Sequence, residues 1–189
     1  MIGKLQQIKF LKYFDCFDTD RDGIITEAEY YAPVHALLAL VGQTGTPAAA
    51  EALAYTNVWW QALRSMADSN RDGVLSRAEW LAFWSAQSDV VADAAVAGEA
   101  GVALLKKIKD TVMVIVNAMD SNHDGTITVD EYAKWLQSLN CKGDVPKLFR
   151  RFGATGDGLS LAQTEYLLLD FFFSNNPEAP GNHMMGELN

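Results

Sequence analysis

Oxygen-bearing side chains recur at every second residue in three short segments of this 189-residue chain. The segments cover residues 18–29, 68–79 and 120–131, and each is twelve residues long. In each one, Asp or Asn stands at positions 1, 3 and 5, glycine at position 6 and glutamate at position 12. Such oxygens can surround a hard divalent cation, and glycine permits the sharp turn between them. The three segments are therefore candidate calcium sites.

This spacing is that of the EF-hand loop, a motif in which each donor has a fixed place. Positions 1, 3 and 5 give one side-chain oxygen each, position 7 gives its backbone carbonyl, and glutamate at position 12 gives two oxygens. The predicted ligands are Asp18, Asp20, Asp22, Ile24 and Glu29; Asp68, Asn70, Asp72, Val74 and Glu79; Asp120, Asn122, Asp124, Thr126 and Glu131. We therefore expect three bound Ca²⁺ ions, with Mg²⁺ as a competitor. Because the first loop has four carboxylates, charge count alone predicts the tightest binding there.

The formal net charge of -9 is accounted for by these loops. Ten of the 24 acidic residues are predicted ligands, which leaves 14 against 15 Lys and Arg. The basic residues form no stripe, so no nucleic-acid surface is predicted. No catalytic arrangement of Ser, His, Asp or Cys is evident, and the chain is predicted not to be an enzyme. It shows no leader peptide and no run of membrane-spanning length, which favours a cytoplasmic protein without an integral membrane segment.

Each loop should lie between two helices. The hydroxyl residues at position 9, Thr26, Ser76 and Thr128, are good N-caps, and the glutamate three residues later completes a capping box. The same hydroxyls reach the ion either directly or through a water. The apolar residues at position 8 should form a short bridge between paired loops. We expect Ile25 to face Leu75, and Ile127 to face Leu159 or Leu161.

EF-hands occur in pairs, and residues 149–173 supply a degenerate fourth hand. Two registers are open for its loop. With Glu165 at position 12 the loop begins at Ala154; with Gly158 at position 6 it begins at Gly153. Neither register gathers enough oxygens, so a hand without calcium is predicted. The expected fold is all-α, with four EF-hands in two pairs packed as a compact globule and short β-bridges between paired loops.

The predicted organisation is an N-terminal pair at 1–90, a C-terminal pair at 102–175 and a tail at 176–189. The Ala- and Gly-rich stretch 92–101 is the expected link between the pairs. Pro33 should kink or interrupt the helix after the first loop. Thr46 and Pro47 are the predicted N-cap and first residue of the next helix. Cys16 and Cys141 are predicted to be two reduced, partly buried residues, because two cysteines make a disulfide framework unlikely in such a chain.

The loops, their wide spacing and the chain's last residues together resemble the invertebrate sarcoplasmic calcium-binding protein and calexcitin family. The segments at 171–177 and 181–186 are similar to that family's C-terminal signature, Phe-Phe-Phe-Ser-Asn-Asn-Pro followed by Gly-Asn-His-Met-Met-Gly here. The resemblance implies a tail that packs back on the domain and a monomeric cytosolic calcium buffer or signalling protein. For calexcitin-like members it also implies a calcium-dependent protein or membrane target.

Two alternatives of other classes stay open. A calmodulin-like sensor would expose a target groove, commonly lined with methionine. The chain has only six Met, and two of them lie in the tail, which favours the buffer. A photoprotein or luciferin-binding relative would place histidines around a ligand cavity. The three histidines, His35, His123 and His183, form no cluster in the sequence, and His123 at loop position 4 should face solvent.

Overall fold

In the computed structural model, which describes residues 2–94, 99–154, 156 and 158–188, helices flank every predicted loop. These residues contain helices α1 Lys4–Asp15, α2 Glu27–Leu40, α3 Pro47–Ala67, α4 Arg77–Ala94, α5 Glu99–Met119, α6 Val129–Ser138, α7 Val145–Arg151 and α8 Leu161–Phe173. A 3₁₀ turn follows at Pro180–His183. The short strands are β1 Ile24–Ile25, β2 Leu75–Ser76, β3 Thr126–Thr128 and β4 Gly158–Ser160. The predicted all-α fold of four EF-hands is confirmed.

The strands join the loops two by two. β1 pairs antiparallel with β2, and Ile25 lies opposite Leu75, as predicted. β3 pairs with β4, and Ile127 lies opposite Leu159 rather than Leu161. These apolar residues are fully buried, so each bridge attaches two loops to the core below them.

The position-9 hydroxyls start the helices that leave the loops, as the sequence predicts. Thr26 and Thr128 each form a complete capping box with the glutamate three residues later. Ser76 makes the same pair of contacts with Glu79, whose backbone N–H donates to the serine hydroxyl at 3.3 Å. Thr46 caps α3, and Pro47 is its first residue. Helix initiation is therefore built into the loop sequence itself.

Pro33 does not interrupt α2, contrary to one of the two outcomes predicted for it. The helix continues from Glu27 to Leu40 with Pro33 buried inside it. Proline lacks the N–H that would bond one turn back, and its ring crowds that turn. The helix packs against α3 and α6.

Stacked aromatic rings fill the space where α1, α4 and α8 meet. Trp84 lies between Phe10 and Phe172, with ring centroids 5.3 and 5.0 Å away. The indole N–H of Trp80 donates to the carbonyl of Phe10 at 2.9 Å. One buried cluster contains residues from both predicted halves of the chain. The limits at 1–90 and 102–175 remain a prediction, and the expected link 92–101 lies partly outside the described residues.

The prediction of two separate reduced cysteines is wrong for this structure. Cys16 and Cys141 form a disulfide, with Cα atoms 6.0 Å apart and 125 residues between them in sequence. Cys16 caps the C-terminus of α1, and Cys141 follows the end of α6. The bond therefore ties the first hand to the third. Sequence gives the number of cysteines, but only the packing of these two helix ends brings them together.

The tail is held on the helices by a buried lysine. The Lys9 side chain is 0% exposed, and its ammonium donates to Asp170 O at 3.3 Å, Ser174 O at 2.7 Å and Asn182 Oδ1 at 3.1 Å. Burial lowers the pKa of Lys9 from 10.5 to about 8, although the charge of Asp170 opposes this shift. The Tyr132 hydroxyl also binds the tail, since it donates to Met184 O at 2.7 Å.

Replacing Lys9 by methionine is expected to lower the free energy of unfolding at pH 7 by about 1–3 kcal/mol, because buried acceptors lose their donor. The difference in the free energy of unfolding between wild type and variant should grow between pH 8 and pH 10.5. In that range the unfolded chain binds a proton that native Lys9 has released, so wild-type stability gains from this group as pH rises. Urea unfolding across this range, with the exposed Lys4→Met as control, measures the difference. A deficit that shrinks with rising pH would contradict the prediction.

Candidate metal centres

Three carboxylates of the first loop converge at the end of α1. Oxygens of Asp18, Asp20 and Asp22 all lie within 4.8 Å of one another. The Asp18 side chain is 0% exposed, whereas Asp20 and Asp22 are exposed. Like charges at this separation repel one another unless a cation or hydrogen-bond donors compensate them. The cluster therefore has the composition and geometry of a site for a hard cation.

The glycine at position 6 closes each loop onto the aspartate at position 1. The N–H groups of Gly23, Gly73 and Gly125 donate to Oδ2 of Asp18, Asp68 and Asp120 at 3.2, 3.1 and 3.0 Å. These glycines have φ angles of 90°, 90° and 85°. A side chain would be strained in this left-handed region, which is the reason for glycine at position 6.

The second and third loops replace the middle aspartate by asparagine and keep the arrangement. The Asn70 amide donates to Asp72 Oδ2 at 2.8 Å, and its Oδ1 accepts from the Asp72 N–H at 3.0 Å. Asn122 repeats both contacts with Asp124, at 2.9 and 3.0 Å. The second and third loops therefore share the same hydrogen bonds, and each has one carboxylate fewer than the first loop.

The glutamate at position 12 accepts four hydrogen bonds in every loop. In the first, Glu29 Oε1 accepts from the N–H and hydroxyl of Thr19, and Oε2 from those of Thr26. Glu79 and Glu131 repeat this pattern with the hydroxyl residues at positions 2 and 9, which are Ser69, Ser76, Ser121 and Thr128. Each of the two carboxylate oxygens is thus held by one hydroxyl residue of the loop.

Burial would raise the pKa of these glutamates, but the hydrogen bonds outweigh it. The pKa of Glu29 and of Glu131 lies below its usual value of 4.5, and that of Glu79 falls to about 2. In each case the donors are the hydroxyl and N–H groups at positions 2 and 9. All three side chains are therefore carboxylates at neutral pH, which is the form that a metal ion needs.

Sequence reasoning missed the hydroxyl residues at position 2. Thr19, Ser69 and Ser121 stand beside the first ligand of each loop and hold one glutamate oxygen. A signal for them was present, since Ser or Thr recurs at this position in all three loops.

The residues at position 4 have φ of about 60°, and all three, Arg21, Arg71 and His123, are exposed.

The fourth loop has a register different from both alternatives considered for it. Leu159 pairs with Ile127 at position 8, and Ser160 caps α8 as Thr128 caps α6. Counted from these residues, position 12 is Gln163, and neither Glu165 nor Thr164. Positions 1, 3 and 5 become Phe152, Ala154 and Gly156, none of which offers a side-chain oxygen. Thr155 and Asp157 lie outside the described residues.

Comparison with known families agrees with this geometry. Residues 63–137 match the EF-hand domain pair, and residues 11–34 match a single EF hand. The chain is thus an EF-hand protein. No curated protein sequence matches the chain significantly.

Several solved structures share the fold of this chain over nearly its whole length. The sarcoplasmic calcium-binding protein from amphioxus is 22% identical, covers 99% of both chains and has a TM-score of 0.71. The calcium-loaded coelenterazine-binding protein from Renilla muelleri is 16% identical over 99% and 100% of the chains, with a TM-score of 0.64. Calcium-loaded apo-aequorin from Aequorea victoria is 17% identical over 91% and 93%, with a TM-score of 0.61. The fold is that of the sarcoplasmic calcium-binding proteins, as the resemblance implied.

Proposed function

We propose that this protein binds three Ca²⁺ ions, one in each of the loops 18–29, 68–79 and 120–131, and buffers calcium in the cytoplasm. The observation that carries the proposal is the common geometry of the three loops. In each, a glycine N–H orients the aspartate at position 1, and four donors hold the glutamate at position 12. In the first loop, oxygens at positions 1, 3 and 5 lie within 4.8 Å of one another.

The residues present fit calcium in a specific way. Asp18 Oδ1 is buried and has no hydrogen-bond partner within the described part of the chain. A buried carboxylate oxygen without a partner is costly, and a cation beside it would remove that cost. The ligands we assign are the fifteen oxygen donors predicted from the sequence. The fourth loop is assigned no ion, because positions 1, 3 and 5 in its register lack oxygen-bearing side chains.

Support for a buffer rather than a sensor comes from the methionines and the tail. A sensor of the calmodulin type needs a Met-rich surface that opens when calcium binds. Here Met119, Met184 and Met185 are buried, and the last two belong to the tail. The Lys9 ammonium donates to Asn182 of that tail, and the Tyr132 hydroxyl donates to the carbonyl of Met184.

Location, partners and oligomeric state belong to the same proposal. We assign a monomer in the cytoplasm, with a calcium-dependent protein or membrane target as the role that a calexcitin-like relative would add. Among the described helices, none combines the length and apolar composition needed to cross a bilayer.

A calorimetric Ca²⁺ titration of the metal-free protein tests the proposal. We expect three sites in the ~10⁻⁹–10⁻⁸ M class that millimolar Mg²⁺ weakens, as in cytosolic buffers. Sites near ~10⁻⁷–10⁻⁵ M that ignore Mg²⁺ would instead indicate a sensor. Calcium-dependent binding of an apolar dye would support that second outcome. A fourth site would show that the assignment of the degenerate loop is wrong.

A further inference from the structure

Arg77 reaches from the second hand into the first site. It is the first residue of α4 and follows β2, the strand that pairs with β1 of the first loop. Its Nη2 donates to Asp15 Oδ1 at 2.8 Å and to Asp18 Oδ2 at 3.2 Å. The guanidinium lies 5.1 Å from the centre of the Phe14 ring. Strand pairing between the loops therefore sets an arginine of one hand against the first ligand of the other.

The two oxygens of Asp18 have different surroundings. Oδ2 accepts from the Gly23 N–H at 3.2 Å and from Arg77 at 3.2 Å. Oδ1 is buried and has no partner within the described residues. Arg77 therefore holds one oxygen of this ligand and leaves the other available to a cation.

The charge of Arg77 offsets the extra carboxylate of the first loop. That loop has four predicted ligand carboxylates, and the other two have three each. In the second loop, Arg64 Nε lies 3.9 Å from Asp68 Oδ2, too far for a hydrogen bond. Asp120 of the third loop makes no ion pair with the described residues. The first site is therefore the one whose position-1 aspartate is hydrogen-bonded to an arginine.

We propose that Arg77 sets the calcium affinity of the first loop and lowers it. The inference rests on the proposed binding of Ca²⁺ in that loop. In the metal-free protein, the guanidinium compensates the clustered carboxylates and stabilises the fold. A divalent cation at Asp18 would be repelled by the same guanidinium. A group that stabilises the metal-free form more than the loaded form weakens binding by that difference. The order of affinities would then depart from the one that carboxylate count predicts.

Site-resolved NMR titration of Arg77→Gln, with free Ca²⁺ set by a chelator buffer, tests this inference. The Gly23, Gly73 and Gly125 amides donate to the position-1 carboxylate of their own loops, so each reports one site. We expect the Gly23 midpoint to shift to about fivefold to tenfold lower free Ca²⁺, a modest effect because Arg77 is 45% exposed and screened by solvent. The other two midpoints should not move. The metal-free variant should melt about 2–4 °C lower, since it loses the ion pairs.

The opposite signs of these two effects separate the inference from a structural role, which would lower both stability and affinity. Arg21→Gln is the matched control, because it removes the same charge from an exposed position of the first loop. An equal gain in both variants would mean that net charge alone acts, and the role assigned to Arg77 would be wrong. A weaker or unchanged first site in Arg77→Gln would also overturn it. If none of the three glycine amides responds in the wild type, the proposed calcium binding itself fails.

Discussion

Replacing Glu131 by glutamine is expected to weaken calcium binding at the third loop strongly, which leaves two tight sites where the wild type has three. Glutamine offers one oxygen where glutamate offers two, and it brings no charge. Its NH₂ group would also face the donors of Ser121 or Thr128, which now bind carboxylate oxygens. We expect a loss of affinity on the order of 100-fold or more, since even second-shell partners contribute about 10–100-fold.

The third loop is the informative one because its partner loop offers no ligands at positions 1, 3 and 5. With Glu131→Gln only the site of the third loop should weaken, whereas both N-terminal loops keep their affinity. Asp130→Asn is the matched control. It removes one carboxylate from the neighbouring residue, which is exposed and pairs with Lys134 at 2.7 Å. Calorimetry should give two tight sites and one about 100-fold or more weaker for Glu131→Gln, and three tight sites for Asp130→Asn. Three equally tight sites in both variants would remove Glu131 from the ligand set.

Loss of the Cys16–Cys141 bond is expected to lower the free energy of unfolding of the metal-free protein by about 2–4 kcal/mol. The bond closes a loop with a sequence separation of 125 residues, and long loops gain most from closure of the unfolded chain. Denaturant unfolding of oxidised wild type and of Cys16→Ser measures the loss. Cys141→Ser should lose the same amount.

The double variant Cys16→Ser/Cys141→Ser provides the control for this prediction. Because both single changes break the same bond, the double variant should be no less stable than either one. A reducing agent should destabilise the wild type and leave the double variant unchanged. Additive losses would show that the two residues contribute separately and that no bond forms. Disulfides are rare in reducing compartments, so this stabilisation applies to the protein under oxidising conditions.

The three candidate loops, their predicted ligands and the starts of the helices that follow them could be inferred from the sequence alone. Each of these features lies within twelve consecutive residues, so spacing alone places the oxygens and the capping hydroxyls. The pairing of Ile25 with Leu75 could also be predicted, because equivalent positions of paired loops meet. The hydroxyls at position 2 were within reach of the same reasoning, since they recur beside Asp18, Asp68 and Asp120.

Features that join distant residues could not be predicted, because they depend on how the whole chain packs. The register of the fourth loop follows from the pairing of Leu159 with Ile127, because that loop has too few ligand side chains to define its own register. Arg77 and Asp18 are 59 residues apart, and Lys9 binds Asn182 of the tail, which is 173 positions away. The physical reason is that a loop's donors are fixed by local spacing, whereas these contacts depend on how helices pack, and side-chain periodicity does not determine which helix ends meet.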